Sequence, residues 1–163
     1  SYGGDGDDYL GGGAANDQLD GGNDADTIYG DGGDDILYGR NGVDELNGGL
    51  GADALYGGND ADTFVFSDTL DGGNVDTIGD FNVAADTIEL SGFIFNAIAS
   101  GTLAANAFVI GAAAADADDR IIYDPTTGAL YYDADGDGAG AAVQFATLGT
   151  GLALTNADFV GGP

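Results

Sequence analysis

The residues of this sequence able to do chemistry are almost all aspartates. Twenty-nine acidic residues face two basic ones, Arg40 and Arg120, and 27 of the acids are Asp. There is no His, Cys or Lys. Thiolate and imidazole ligands are therefore excluded, and with them disulfides and the usual transition-metal sites. The ligands left are carboxylates, backbone carbonyls and Asn amides, an all-oxygen set that suits hard cations, chiefly calcium. The same inventory offers no nucleophile–base pair and no HExxH zinc motif, so the chain reads as non-catalytic. A net charge of −27 excludes nucleic acid and anionic lipid as natural partners. No apolar run reaches membrane-spanning length, so no membrane insertion is expected, and no signal peptide is visible.

The acids recur with a period. Cut every nine residues from Gly3, residues 3–65 read GGDGDDYLG, GGAANDQLD, GGNDADTIY, GDGGDDILY, GRNGVDELN, GGLGADALY and GGNDADTFV. Position 1 is Gly in all seven. Position 6 is always Asp: Asp8, Asp17, Asp26, Asp35, Asp44, Asp53 and Asp62. Position 8 is always large and apolar: Leu10, Leu19, Ile28, Leu37, Leu46, Leu55 and Phe64. Acidic, Gly-rich sequences are often disordered. Here 44% of residues are hydrophobic and spaced regularly, which favours a chain that folds once its charge is neutralised.

Elements must position these acids. Gly at positions 1, 2 and 4 permits the positive φ of a tight turn. Asp24 and Asp60, replacing Gly at position 4, tolerate that conformation, whereas Ala15 predicts local strain or a weaker site. Positions 7 to 9 predict a short strand whose middle residue points inward. Two nonapeptides then make one coil, equivalent residues stack 18 apart, and the position-8 side chains fill a thin core between two parallel sheets. The turns form two edge rows. Between stacked turns, carbonyls and Asp side chains converge on a shared gap, and counting adjacent pairs gives about five Ca2+ sites. The expected ligands are the seven position-6 aspartates and the turn glycines Gly4, Gly6, Gly13, Gly22, Gly33, Gly42, Gly49, Gly51 and Gly58. Tyr38 and Tyr56 should stack on an outer face as a plain aromatic ladder.

Residues 3–65 resemble the RTX repeats of haemolysin-type toxins, serralysin-type proteases, secreted lipases and alginate epimerases. Phe64-Val65-Phe66, Asp76-Thr77-Ile78-Gly79-Asp80-Phe81 and Asp86-Thr87-Ile88-Glu89-Leu90-Ser91 are similar to the segment that follows the repeats in serralysin-type proteins. The resemblance implies an all-β, right-handed parallel β-roll with calcium between the turns. It also implies export from a Gram-negative cell by a type I secretion apparatus. The expected partners are then calcium and an upstream effector domain, and the expected location is extracellular. The sequence opens in mid-pattern at Ser1-Tyr2, as a fragment would. A second reading is a calcium-dependent adhesion or carbohydrate-binding module, which adheres to polysaccharide or to a cell surface.

The repeats need a cap, since an open solenoid exposes core and strand edges. Residues 66–98 are expected to form it. Gly72-Gly73-Asn74-Val75-Asp76-Thr77-Ile78 looks like a nonapeptide that lost residues, so Asp76 is either a further ligand or part of a simple turn. Asp80 and Asp86 are expected to be solvated or paired in loops. Residues 99–163 read as a small β-rich unit carrying the secretion signal, with strands at 120–123, 129–132 and 141–148. Asp133, Asp135 and Asp137 match half an EF-hand loop, but Gln144 stands at the twelfth position and the flanks are strands, so a lone calcium there is the weaker alternative. Leu103–Val109 and Leu154–Val160 share an L-x4-FV spacing, which predicts two similar capping elements.

Overall fold

A computed structural model describes residues 1–163. Strands appear where the nonapeptide pattern places them, and all but β6 and β8 run on into the glycines that follow. They are β1 (Tyr2–Asp5), β2 (Tyr9–Gly13), β3 (Gln18–Asn23), β4 (Thr27–Asp31), β5 (Ile36–Asn41), β6 (Glu45–Asn47), β7 (Ala54–Asn59) and β8 (Thr63–Phe66). Odd strands pair in parallel in one sheet and even strands in the other. The register is the expected one. Leu19 pairs with Leu37 and Leu37 with Leu55, while Leu10, Ile28, Leu46 and Phe64 pair in sequence across the facing sheet.

The coil continues past the repeats. β9 (Asp76–Ile78) pairs in parallel with β7, setting Ile78 beside Leu55, and β10 (Thr87–Leu90) pairs with β8, setting Ile88 beside Phe64. The remaining strands are β11 (Gly101–Thr102), β12 (Phe108–Ile110), β13 (Ile121–Tyr123), β14 (Ala129–Tyr132), β15 (Val143–Thr147) and β16 (Phe159–Gly161). β15 adds in parallel to β9, and β16 to β10. The sheets therefore run β1-β3-β5-β7-β9-β15-β14-β13-β12 and β11-β16-β10-β8-β6-β4-β2. Residues 1–65, 66–98 and 99–163 thus share both sheets. The two L-x4-FV segments are alike in structure, each a single 3-10 turn (Ala105–Ala107 and Asn156–Asp158) leading into a strand.

One core cluster joins these parts. All seven position-8 side chains are buried in it, each contributing about 1.5–3 kcal/mol on burial. Towards the C-terminal end the core widens into an aromatic group. Phe145 lies edge-on to both Phe66 and Phe95, at ring-centroid distances of 5.1 Å, and Phe95 meets Tyr132. Phe93, from the same apolar run, is instead exposed. On the outer face Tyr38 and Tyr56 stack at 5.1 Å, with the Arg40 guanidinium over Tyr38 and bonded to Asp20.

Candidate metal centre

The turns put glycine to two uses. Gly4, Gly6, Gly13, Gly22, Gly33, Gly42, Gly49, Gly51 and Gly58, at positions 2 and 4, all have φ between +91° and +138°. Asp24 and Asp60 adopt positive φ at position 4 as expected. Asp31 and Arg40 do so at position 2, which was not anticipated. Ala15 does not: it lies outside the positive-φ set, so its turn bends differently and the predicted strain is absent. The position-1 glycines also lack positive φ, contrary to expectation. They are needed for close approach. A Cβ on Gly3 would lie 2.6 Å from Asp8 Oδ2, and at Gly21, Gly39, Gly48 and Gly57 the position-6 carboxylate would be closer still.

Backbone carbonyls face the gaps between coils from both sides. The position-2 oxygens of Gly4, Asp31 and Arg40 abut the Cα atoms of Gly22, Gly49 and Gly58 one coil on. The position-4 oxygens of Asp24 and Gly33 abut Gly42 and Gly51 in the same way. The position-1 oxygens of Gly21, Gly30, Gly48 and Gly57 point the opposite way, towards Gly3, Gly12, Gly30 and Gly39.

The aspartates form two ladders through these gaps. On one edge the amides of Asp8, Asp26 and Asp44 donate to Oδ1 of Asp26, Asp44 and Asp62 at 2.8–3.0 Å. On the other, Asp17 donates to Asp35 and Asp35 to Asp53, both at 2.7 Å. Oδ1 is thereby satisfied and Oδ2 is not. In Asp8, Asp26, Asp35, Asp44, Asp53 and Asp62 the Oδ2 atom is buried and meets no donor. Buried unpaired anions are costly unless a proton or a metal neutralises them. Burial raises the pKa of Asp26, Asp35 and Asp53, and takes Asp44 to about 6 and Asp62 to about 7, against the lowering effect of the backbone N–H each accepts. No cation relieves this. Arg40 is committed to Asp20, and Arg120 donates to the carbonyls of Ala117 and Asp119.

Nowhere do three or more side chains converge as a ready carboxylate cage. The gaps instead combine carbonyls from two coils with one or two carboxylates, the mixed oxygen set that a six- to eight-coordinate hard cation accepts. The residues present fit calcium on that account.

The ladders run beyond the nonapeptides. Asp53 donates to Asp76 Oδ1 and Asp62 to Asp86 Oδ1, both at 3.1 Å. Asp86, expected in a solvated or paired loop position, is buried and sits in line with the position-6 row. Asp80 is exposed, and its Oδ1 accepts the Gly57 amide. The signal for Asp86 was present in the sequence. Asp26-Thr27-Ile28, Asp76-Thr77-Ile78 and Asp86-Thr87-Ile88 are one tripeptide, the end of a turn and the start of a strand. Asp133, Asp135 and Asp137 lie in the β14–β15 connection. There the Asp135 amide donates to Asp133 and Asp135 accepts the Gly140 amide, which holds the Asp135 pKa down. These three carboxylates do not converge.

The two-edged parallel coil with Asp-lined turns defines the class, a parallel β-roll with cation-binding turns. Residues 2–37 and 38–68 match the RTX calcium-binding nonapeptide repeat, in four copies. The similarity to RTX calcium-binding repeats thus spans residues 2–68. The fold is similar to the solution structure of the AlgE6R3 subunit from the Azotobacter vinelandii mannuronan C5-epimerase. The TM-score is 0.63 at 28% identity, covering 91% of this chain and 80% of that one. No curated protein sequence matches the chain.

Proposed function

We propose that the chain is a non-catalytic, calcium-triggered folding module of a larger secreted protein, and that it stabilises an attached effector domain outside a Gram-negative cell. The observation that carries this reading is the row of six buried Oδ2 atoms without donors, in a chain with two arginines for 29 acids. Such a roll is incomplete without a cation. Five sites lie between Asp8 and Asp26, Asp26 and Asp44, Asp44 and Asp62, Asp17 and Asp35, and Asp35 and Asp53. Each uses those carboxylates with the carbonyls of the turn glycines. Scarce cytosolic calcium leaves the chain open for export through a type I apparatus, and extracellular calcium closes it. Extracellular calcium modules work at about 10⁻⁴–10⁻³ M. Residues 99–163 carry the export signal.

Circular dichroism of the full chain tests the reading. In chelator at low salt the repeats are expected to lack β-structure, and millimolar calcium to restore it. Magnesium should substitute poorly, because it holds its waters and demands a small octahedral shell. A complete β spectrum in chelator at neutral pH would overturn the reading. The polysaccharide alternative draws support from the epimerase subunit's likeness, but the half-buried Tyr38 and Tyr56 of the outer face do not favour it. Tyr38 and Tyr56 face each other, Arg40 lies over Tyr38, and Gly79 abuts Tyr56, which leaves little free ring face for a sugar.

A further inference from the structure

We propose that Asn41 and Asn47 are deamidation sites that the open chain exposes and the closed roll protects, so a chain kept without calcium steadily loses its ability to close. This rests on the calcium reading above but concerns side chains outside the Asp ladders.

Only these two asparagines precede glycine, in Asn41-Gly42 and Asn47-Gly48. Glycine has no Cβ, so its main-chain nitrogen reaches the preceding side chain with the least hindrance. That nitrogen bonds to the asparagine Cγ, the Cγ–Nδ2 bond breaks, and ammonia leaves with the proton the main-chain nitrogen gives up. Water then opens the resulting five-membered succinimide at either carbonyl. One opening leaves Asp. The other leaves isoaspartate, whose main chain runs through Cβ and Cγ and is one atom longer. One water enters and one ammonia departs, and neither oxidant nor metal is needed.

The closed roll holds the groups this reaction must move. Asn41 is exposed, yet its amide is a rung in a ladder along the turns of Asp8, Asp26, Asp44 and Asp62. Its Nδ2 donates to Asn23 Oδ1 at 2.9 Å, its Oδ1 accepts Asn59 Nδ2 at 2.7 Å, and Asn23 Nδ2 donates in turn to Asp5 at 2.8 Å. Gly42 is fixed at φ +133°, with its Cα against the Asp24 carbonyl. Asn47 is buried, its Nδ2 donates to Ser67 Oγ at 2.9 Å, and Gly48 lies against the Asp53 carboxylate. Ring closure needs the side chain and the following peptide to turn together, so it waits on local opening of the turn. The products also fit badly. Asp at position 41 sets a carboxylate oxygen where Nδ2 faced the Asn23 carbonyl oxygen, which breaks that rung and adds charge to a chain already at −27. Isoaspartate at position 47 lengthens the chain just before a glycine that has no room to shift.

The test incubates the full chain at mildly alkaline pH, in chelator and in saturating calcium, and follows both asparagines by peptide mapping with mass spectrometry. Conversion in calcium is expected to be slower by about tenfold or more, since it proceeds only through local opening. The chain aged in chelator should then need more calcium to regain its β spectrum. Asn41→Asp should reproduce that rise. Gln18→Glu, which adds the same charge on an exposed side chain outside the ladder, should raise the midpoint less. Equal conversion rates in a chain whose circular dichroism responds to calcium would overturn the proposal. So would an Asn41→Asp midpoint no higher than that of Gln18→Glu. A chain with no calcium response at all would sink the calcium reading, and the proposal with it.

Discussion

Asp35 holds two coils together at once. Its Oδ1 takes the Asp17 amide below, and its own amide donates to Asp53 above. Asp8 has a ladder partner on one side only among residues 1–163: its amide donates to Asp26, and no amide donates to its carboxylate. Asp35→Ala is therefore expected to raise the calcium midpoint more than Asp8→Ala. A lost hydrogen bond to a charged group costs about 1.5–3 kcal/mol, which is roughly tenfold or more in affinity. Equal midpoints in a calcium titration followed by circular dichroism would refute the two-sided role. The position-1 glycines make a second residue-scale case. A methyl on Gly39 would sit 2.6 Å from the Gly57 carbonyl and closer to the Asp44 carboxylate, whereas one on Gly11 meets nothing nearer than Asp31 Oδ2 at 3.6 Å. Gly39→Ala should cost about 1–3 kcal/mol by overpacking, and Gly11→Ala close to nothing. Thermal melts in saturating calcium would show this, and equal melting temperatures would contradict the close-approach account.

At the scale of elements, the period of nine fixed most of what could be read beforehand. Gly, Asp and Leu recur at set places, so the strands, the 18-residue register and the Asp rows follow from counting. What counting could not supply was continuity past residue 65. There loops of other lengths interrupt the period, so the partner of Asp53 lies 23 residues on and that of Asp62 lies 24 on. Local signals survived in the repeated Asp-Thr-Ile, but their alignment with the ladder is a long-range fact that only packing reveals. The position-1 glycines were misread for a related reason, because sequence shows that Gly is required and not whether φ or contact requires it. The continuity carries its own prediction. β9 and β10 cover the edges of β7 and β8, and Ile78 and Ile88 stack on Leu55 and Phe64. A chain ending at Asp71 keeps every nonapeptide Asp, yet leaves both edges and the core end bare. It should lose calcium-induced folding at concentrations that fold the full chain. An unchanged midpoint and β signal per repeat would mean the cap is dispensable.

Over the whole molecule, charge decides whether the roll closes. A net charge of −27 opposes compaction, and the buried carboxylates concentrate that opposition inside. Calcium is one way to cancel it, and protons are another. Burial places the pKa of Asp44 near 6 and that of Asp62 near 7 in the folded chain, against an ordinary 3.8. A carboxyl with a raised folded-state pKa binds its proton more tightly when folded, so the folded state gains from acid. That gain is fully present below the unfolded value and is lost as pH rises through the folded one. For these two groups the window runs from about pH 4 to about pH 7, and Asp26, Asp35 and Asp53, shifted the same way, add to it. The metal-free chain is therefore expected to gain β-structure on acidification from pH 8 to pH 4.5, in chelator. Calcium should make folding nearly independent of pH over the same range, because the ion replaces the proton. Circular dichroism at both pH values, with and without calcium, reads this out. A metal-free chain more folded at pH 8 than at pH 4.5 would show that the Asp ladders are not what holds the roll open.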